Sequence, residues 1–158
     1  MSSCFTRLTL RDPSVTERLA AQIAPVLTAG DTLLLEGDIG AGKTTFARAL
    51  IRARIGRAED VPSPTFTLVQ TYDAGPVEIW HCDLYRLGAP EDVLELGLDE
   101  AFDSAICLVE WPDRLGSGAP AGALVCRFTA GDDGHLLCLH GPGDWPARLE
   151  PALARVDD

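Results

Sequence analysis

The apolar run TLLLE (32–36) leads straight into Gly37-Asp38-Ile39-Gly40-Ala41-Gly42-Lys43-Thr44-Thr45, and a helical pattern begins at once behind it. Gly37, Gly42, Lys43 and Thr44 satisfy G-x-x-x-x-G-K-[ST] in the strand–loop–helix context that this motif requires. Glycines let the backbone turn tightly and point successive N–H groups inward, and the following helix adds its positive end. Residues Asp38 to Thr45 are therefore expected to cradle nucleotide phosphates. Of 13 basic residues, every one except Lys43 is arginine. A compact ammonium can reach between β- and γ-phosphates, whereas the planar fork of arginine is too large for a wrapped loop. The Thr44 hydroxyl is expected on Mg²⁺.

The rest of the chain fits around this unit. FTRLTL (5–10) reads as a first strand, and Asp12-Pro13-Ser14 signals a helix start. Apolar residues at 15, 19, 23 and 26/27 carry that helix towards Gly30, with Pro25 in its last turn. TLLLE suits a buried parallel strand. TTFARALIRARI (44–55) is a second helix, and VPSPTF a proline-interrupted loop. TLVQTY (67–72) and VEIWHCD (77–83) are strands joined by a turn at 74–76; PEDVLELGLDEAF (90–102) is a helix broken near Gly97. AICLVE (105–110) is another buried strand. ALVCRFTA and HLLCLHG form a hairpin across Gly131–Gly134, and a short helix or frayed tail begins at Trp145. The expected fold class is α/β: one P-loop NTPase-like domain over residues 1–158. It has a mostly parallel central sheet, helices on both faces, and an antiparallel C-terminal hairpin at one edge.

Composition excludes several classes. At 158 residues the chain suits one domain, which buries roughly 70% of its unfolded surface. No apolar run reaches the ~20 residues that span a bilayer, and MSSCFTRLTL lacks the features of a signal peptide, so a cytoplasmic protein without a membrane association is expected. The net charge of −11 would repel a phosphate backbone, which disfavours strong direct nucleic-acid binding. Arg48, Arg52, Arg54 and Arg57 form a local exception, read as a solvated helix face or a docking surface for an acidic partner or RNA. Five cysteines form no CxxC and show no ligand spacing with the three histidines. Free buried thiols are expected, with neither a disulfide framework nor a thiol-bound metal.

A phosphate site with a metal needs acids. Asp83 ends the strand VEIWHC, and Glu110 ends ICLV; a carboxylate at the carboxyl end of a parallel strand faces the ligand crevice. Glu110 follows four unbroken apolar residues, the stronger pattern, while Asp83 reads equally as ligand or strand-end cap. Ser63-Pro64-Thr65-Phe66 is either plain turn chemistry or a γ-phosphate-sensing loop with Thr65 offering its hydroxyl. Tyr85 and Arg86 read as surface residues or, for Arg86, as a phosphate-charge stabiliser. Trp111-Pro112 suits packing at a strand exit. Guanine recognition through Asn/Thr-Lys-x-Asp is impossible here, since the chain has no asparagine and one committed lysine, so ATP and ADP are expected over GTP.

Taken in order and spacing, GDIGAGKTT, SPTFTLV, HCDLYRL and LVEWP resemble the TsaE (YjeE) family, from about Leu8 to Pro112. These are small bacterial ATPases required for threonylcarbamoyladenosine in tRNA. The resemblance implies ATP and Mg²⁺ as cofactors and TsaD and TsaB as partners, the ATPase cycle resetting their transferase complex between turnovers. It matches Lys43 and Thr44 to the phosphate and Mg²⁺ residues, and Asp83 to the acid of HxDxYR. Glu110 matches the metal-reaching acid of EWP, Thr65 the switch-like loop and Trp111 the adjacent aromatic. It also puts Thr16 near the adenine. The alternative is a small-molecule kinase, which would need an arginine-rich lid; Arg86 and the Arg48–Arg57 group are the only candidates, and neither has that spacing.

Overall fold

The computed structural model describes residues 4–37, 42–56, 69–84, 97–131 and 134–156. Among these lie seven strands and four α-helices. In chain order they are β1 (Thr6–Leu10), α1 (Pro13–Ile23), β2 (Thr32–Gly37), α2 (Lys43–Ile55), β3 (Val69–Asp73) and β4 (Glu78–Asp83). Then follow α3 (Leu98–Ser104), β5 (Ile106–Glu110), β6 (Leu124–Gly131), β7 (Gly134–His140) and α4 (Trp145–Val156). Short 3₁₀ turns at Ala24–Val26 and Pro112–Gly118 follow α1 and β5. The Pro25 turn is the end of the first helical pattern, as its ring dictates. Residues 67–68 and 90–96 of the expected strand and helix lie outside the described residues.

One sheet runs in the order β1-β7-β6-β2-β5-β4-β3. The β6, β2, β5 and β4 core is parallel, and β2 sits between β6 and β5 with Leu33 opposite both Leu124 and Leu108. Antiparallel pairing flanks this core at both edges, where the sequence suggested one. The short 74–76 turn can only return β4 beside β3, so that hairpin makes the second antiparallel edge. The N-terminal strand pairs with the C-terminal β7, from Thr6↔Leu139 to Leu10↔His135.

Helices cover both faces, as the alternation of buried residues requires. Leu33, Leu35, Ile106 and Leu108 face the cluster containing Phe46, Leu50 and Ile51 of α2 and Leu19 and Ile23 of α1. Leu34, Cys107 and Val109 face the opposite cluster with Leu98 and Ala101 of α3. A strand buried on both faces has to be apolar throughout, which is why β5 reads ICLV before its terminal acid. Phe46 meets Phe128 of β6 at 5.6 Å between ring centroids, tying α2 to the sheet. α4 packs on α1; Arg148 grips Asp31 at 2.6 Å and the Val26 carbonyl at 3.1 Å, with its guanidinium 4.2 Å above the Trp145 ring.

Two expectations are corrected. Arg54 donates to the carbonyls of Ala24 and Leu27, both at 2.8 Å, so it fastens α2 to the end of α1 instead of joining a solvated face. Arg57 lies outside the described residues. The thiols are not all free either, because Cys4 and Cys138 are joined by a disulfide across 134 residues of sequence. Cys82, Cys107 and Cys126 are free and buried, and burial pushes the Cys107 thiol up to about 12 and the other two upward as well.

Asp12 caps α1. Its carboxylate accepts from the Ser14 hydroxyl and from the N–H groups of Ser14 (2.9 Å) and Val15 (3.2 Å), and these bonds hold its pKa below the usual 3.8. The depressed pKa makes the cap's contribution fully present above the ordinary carboxylate range and lost as pH falls through the lowered value. Thermal unfolding of Asp12→Ala should therefore give a lower Tm than the parent at neutral pH, with the gap closing in strong acid. An undiminished gap at the lowest pH would show that the carboxylate is not the stabilising group.

Candidate functional site

The ends of β2, β5 and β4 and the start of α2 converge at the carboxyl edge of the parallel core. Two glycines allow the approach. Gly37 closes β2 at φ 140°, and a Cβ there would stand 2.3 Å from the Phe128 carbonyl oxygen. Gly42 caps α2 at φ 104°, with His135 Nδ1 3.3 Å from where its Cβ would be. No other residue type adopts both conformations in such space. Asp38, Ile39, Gly40 and Ala41 lie outside the described residues, as do Thr65 with the whole SPTF loop, Tyr85 and Arg86.

Lys43 opens α2 and is 4% exposed. Its ammonium donates to the Gly37 carbonyl and stands 3.6 Å above the centre of the Trp111 ring. The charge is thus held between a carbonyl dipole and an aromatic face. Trp111 itself carries a left-handed backbone (φ 59°), alone in this among the described non-glycine residues. Such a conformation costs on the order of 1–3 kcal/mol and persists where neighbours over-determine it.

Next to Lys43, the Thr44 hydroxyl donates to Glu110 Oε1 at 2.8 Å. The other carboxylate oxygen, Oε2, is 2.6 Å from His81 Nε2. Glu110 is 2% exposed and His81 is fully buried. Asp83 stands directly opposite Glu110 on the neighbouring parallel strand, so both acids leave the same face at the same level. Lys43, Thr44, Glu110 and Asp83 are therefore brought together. The donors at the Thr44–Glu110 contact are hard oxygens, the set that suits Mg²⁺.

Two clefts open on either side of the α2 N-terminus. One is lined by Thr16, Gly42, Thr45, Arg11 and His135, so Thr16 and Thr45 share a wall while standing apart from the Lys43–Glu110 cluster. The other is lined by Gly37, Trp111, Asp113 and Phe128, with the cross-strand pair Glu36–Arg127 at 3.1 Å.

This arrangement has relatives. The family model for threonylcarbamoyl adenosine biosynthesis protein TsaE matches residues 10–135. The chain belongs to the TsaE family. A tRNA threonylcarbamoyladenosine biosynthesis protein TsaE from Rickettsia conorii is 39% identical over 130 residues, covering 82% of this chain and 74% of that protein. The Bacillus subtilis protein of the same name is 36% identical over 149 residues, covering 93% and 92%. A crystal structure of Bacillus subtilis YdiB superposes with a TM-score of 0.79 at 31% identity over 100% of this chain and 99% of that one. The described helices include none long and apolar enough to cross a membrane.

Within this TsaE-family site, sequence reasoning missed His81 and His135. His81 lies two residues before Asp83, on the same face of a strand whose neighbours are apolar, and that position was the available signal. His135 is visible only once β7 is laid beside β1. Loss of the His81 imidazole should leave the buried Glu110 carboxylate short of one partner. His81→Ala is expected to lower stability by about 1–3 kcal/mol in urea titrations, and Glu110→Gln added to it should recover part of the loss. An unchanged midpoint for His81→Ala would remove this contact from the stability of the site.

Proposed function

We propose that this chain is the Mg²⁺-dependent ATPase component of tRNA threonylcarbamoyladenosine biosynthesis, working in the cytoplasm as one P-loop domain over residues 1–158 and coupling its nucleotide cycle to TsaD and TsaB. The observation that carries the reading is the Thr44–Glu110 contact beside the sole lysine, at the point where a G-x-x-x-x-G-K-T loop enters its helix. The names of the relatives supply the pathway.

In this reading Asp38 to Thr45 wrap the phosphates with backbone N–H groups. Lys43 exchanges the Gly37 carbonyl and the Trp111 face for β- and γ-phosphate oxygens. Thr44 and Glu110 would hold Mg²⁺, with Asp83 beside them to order the attacking water. Mg²⁺ held there would supply positive charge against that of the phosphates. His81 keeps one oxygen of Glu110 occupied, so the other stays turned towards Thr44. The Thr16–Thr45–His135 cleft takes the nucleoside, and Thr65 reports the γ-phosphate. Among the described residues nothing covers the clefts beside α2, and the reading assigns water exclusion to a partner.

Phosphate release should be slow for the lone chain and markedly faster when TsaD and TsaB are added together. Lys43→Ala should lower the stimulated rate roughly 100-fold or more, and Asp83→Ala and Glu110→Ala should each lose the stimulation. A fast lone rate that partners leave unchanged would overturn the coupled reading and favour a self-sufficient enzyme.

Thr65 has its own test. Backbone amides of residues 61–67 should gain hydrogen-exchange protection with a non-hydrolysable ATP analogue and gain less with ADP. Equal protection in both states would return SPTF to plain turn chemistry.

A further inference from the structure

Away from the phosphate site the fold assembles a second group of ligand atoms that sequence spacing conceals. Cys138 and His140 are two residues apart on β7, so their side chains leave the same face. Cys4 precedes β1, the strand paired with β7, and its Cα is 5.7 Å from that of Cys138. The sulfur and imidazole ligand atoms of these three residues all lie within 4.8 Å of one another. In this structure the two sulfurs form a disulfide.

Each sulfur also has a partner for the reduced state. Cys4 Sγ lies 2.9 Å from the Thr6 carbonyl oxygen, and Cys138 Sγ lies 3.2 Å from His140 Nε2. A dithiol at this place therefore has a carbonyl acceptor and an imidazole nitrogen already in position. Two thiolates and an imidazole are a soft-to-borderline donor set, which selects ions of the zinc class over Mg²⁺ or Ca²⁺. A tetrahedral zinc site spaces its ligand atoms roughly 3.3–3.8 Å apart. The Cys138–His140 approach is close to that spacing, and the sulfurs can separate to it by side-chain rotation once their bond is broken.

We propose that, in the reduced chain, Cys4, Cys138 and His140 form a zinc-class metal site that fastens the start of β1 to β7, with a fourth position open to water. Reduction by a phosphine consumes one water and yields two thiols and the phosphine oxide. Binding then forms two sulfur–metal bonds and releases two protons. Disulfide and metal compete for the same two sulfurs. Cys82, Cys107 and Cys126 do not compete, because they are buried and burial raises all three thiols.

The probe is Co²⁺, titrated without nucleotide into the full chain reduced with a phosphine under anaerobic conditions, with thiol counting at the start. The expected result is one equivalent of Co²⁺ giving a thiolate-to-cobalt charge-transfer band and strong tetrahedral d–d absorption. Zn²⁺ should abolish both stoichiometrically, and acidification should reverse binding because two protons return to sulfur. Cys4→Ser and Cys138→Ser should each lose the charge-transfer band with far-ultraviolet circular dichroism unchanged. His140→Ala should weaken Co²⁺ roughly tenfold or more. Co²⁺ at the oxygen ligands Thr44 and Glu110 has no charge-transfer band, so the two sites are distinguishable. Absence of that band in the reduced, folded parent overturns the proposal, and so does a band that survives both serine variants.

Discussion

Glu110 is a carboxylate buried to 2% exposure at the end of an apolar strand, and the arrangement of the site follows from what that burial demands. An ionised acid taken out of water without partners would cost several kcal/mol. Here each oxygen has its own partner: Thr44 on Oε1 from the first turn of α2, and His81 on Oε2 from β4. Three elements far apart in sequence are thereby drawn to one atom pair. The carboxylate fixes the depth of α2 relative to the sheet and fixes β4 as the neighbour of β5. Glu110 is thus a structural joint and the candidate metal ligand at once: its contacts already hold its carboxylate in a fixed orientation at the α2 N-terminus.

That joint works because the parallel core is rigid around it. β5 is buried on both faces by two separate clusters, one built with α1, α2 and α4 and the other with α3. Side chains at the carboxyl ends of β2, β5 and β4 cannot retreat into such a core, so they project towards the crevice where ligands bind open α/β sheets. The antiparallel edges do different work. β7 turns His135 towards Gly42, and β1 runs into Arg11 and Asp12, so the pairing of the two chain ends builds a wall of the Thr16 cleft. The candidate cluster of Lys43, Thr44, Glu110 and Asp83 comes from the middle of the sheet, and this second cleft from one edge.

Local chemistry was legible in the sequence and long-range pairing was not. Gly37, Gly42, Lys43 and Thr44 fall where the sequence sets a strand end and a helix start, because the motif is contiguous. Glu110 shows itself by ending an unbroken apolar run, and the structure puts it against Thr44. Asp83 was ambiguous as a strand-end acid, and its register opposite Glu110 became visible only from the β4–β5 pairing. His81 stands two residues before Asp83 on the same strand face, but what it does becomes visible only when the β4–β5 pairing sets it beside Glu110. The Cys4–Cys138 bond spans 134 residues, and nothing local announces it. The second antiparallel edge followed from the short 74–76 turn, a signal present in the sequence but not carried through to topology.

Lys43 is buried, and its charge is met by a backbone carbonyl and the face of Trp111. Trp111 holds a left-handed backbone directly before Pro112, where the proline ring already excludes the right-handed helical region for its predecessor. The cost of that backbone is offset by the cation–π contact, so the lysine and the tryptophan hold each other in place. An ammonium suits this position. It is small enough to lie between the Gly37 carbonyl and the Trp111 ring, and its three donors can also serve the phosphate oxygens proposed for it. A guanidinium would need a wider gap and planar partners. A chain that uses arginine at every other basic position therefore keeps lysine at this one.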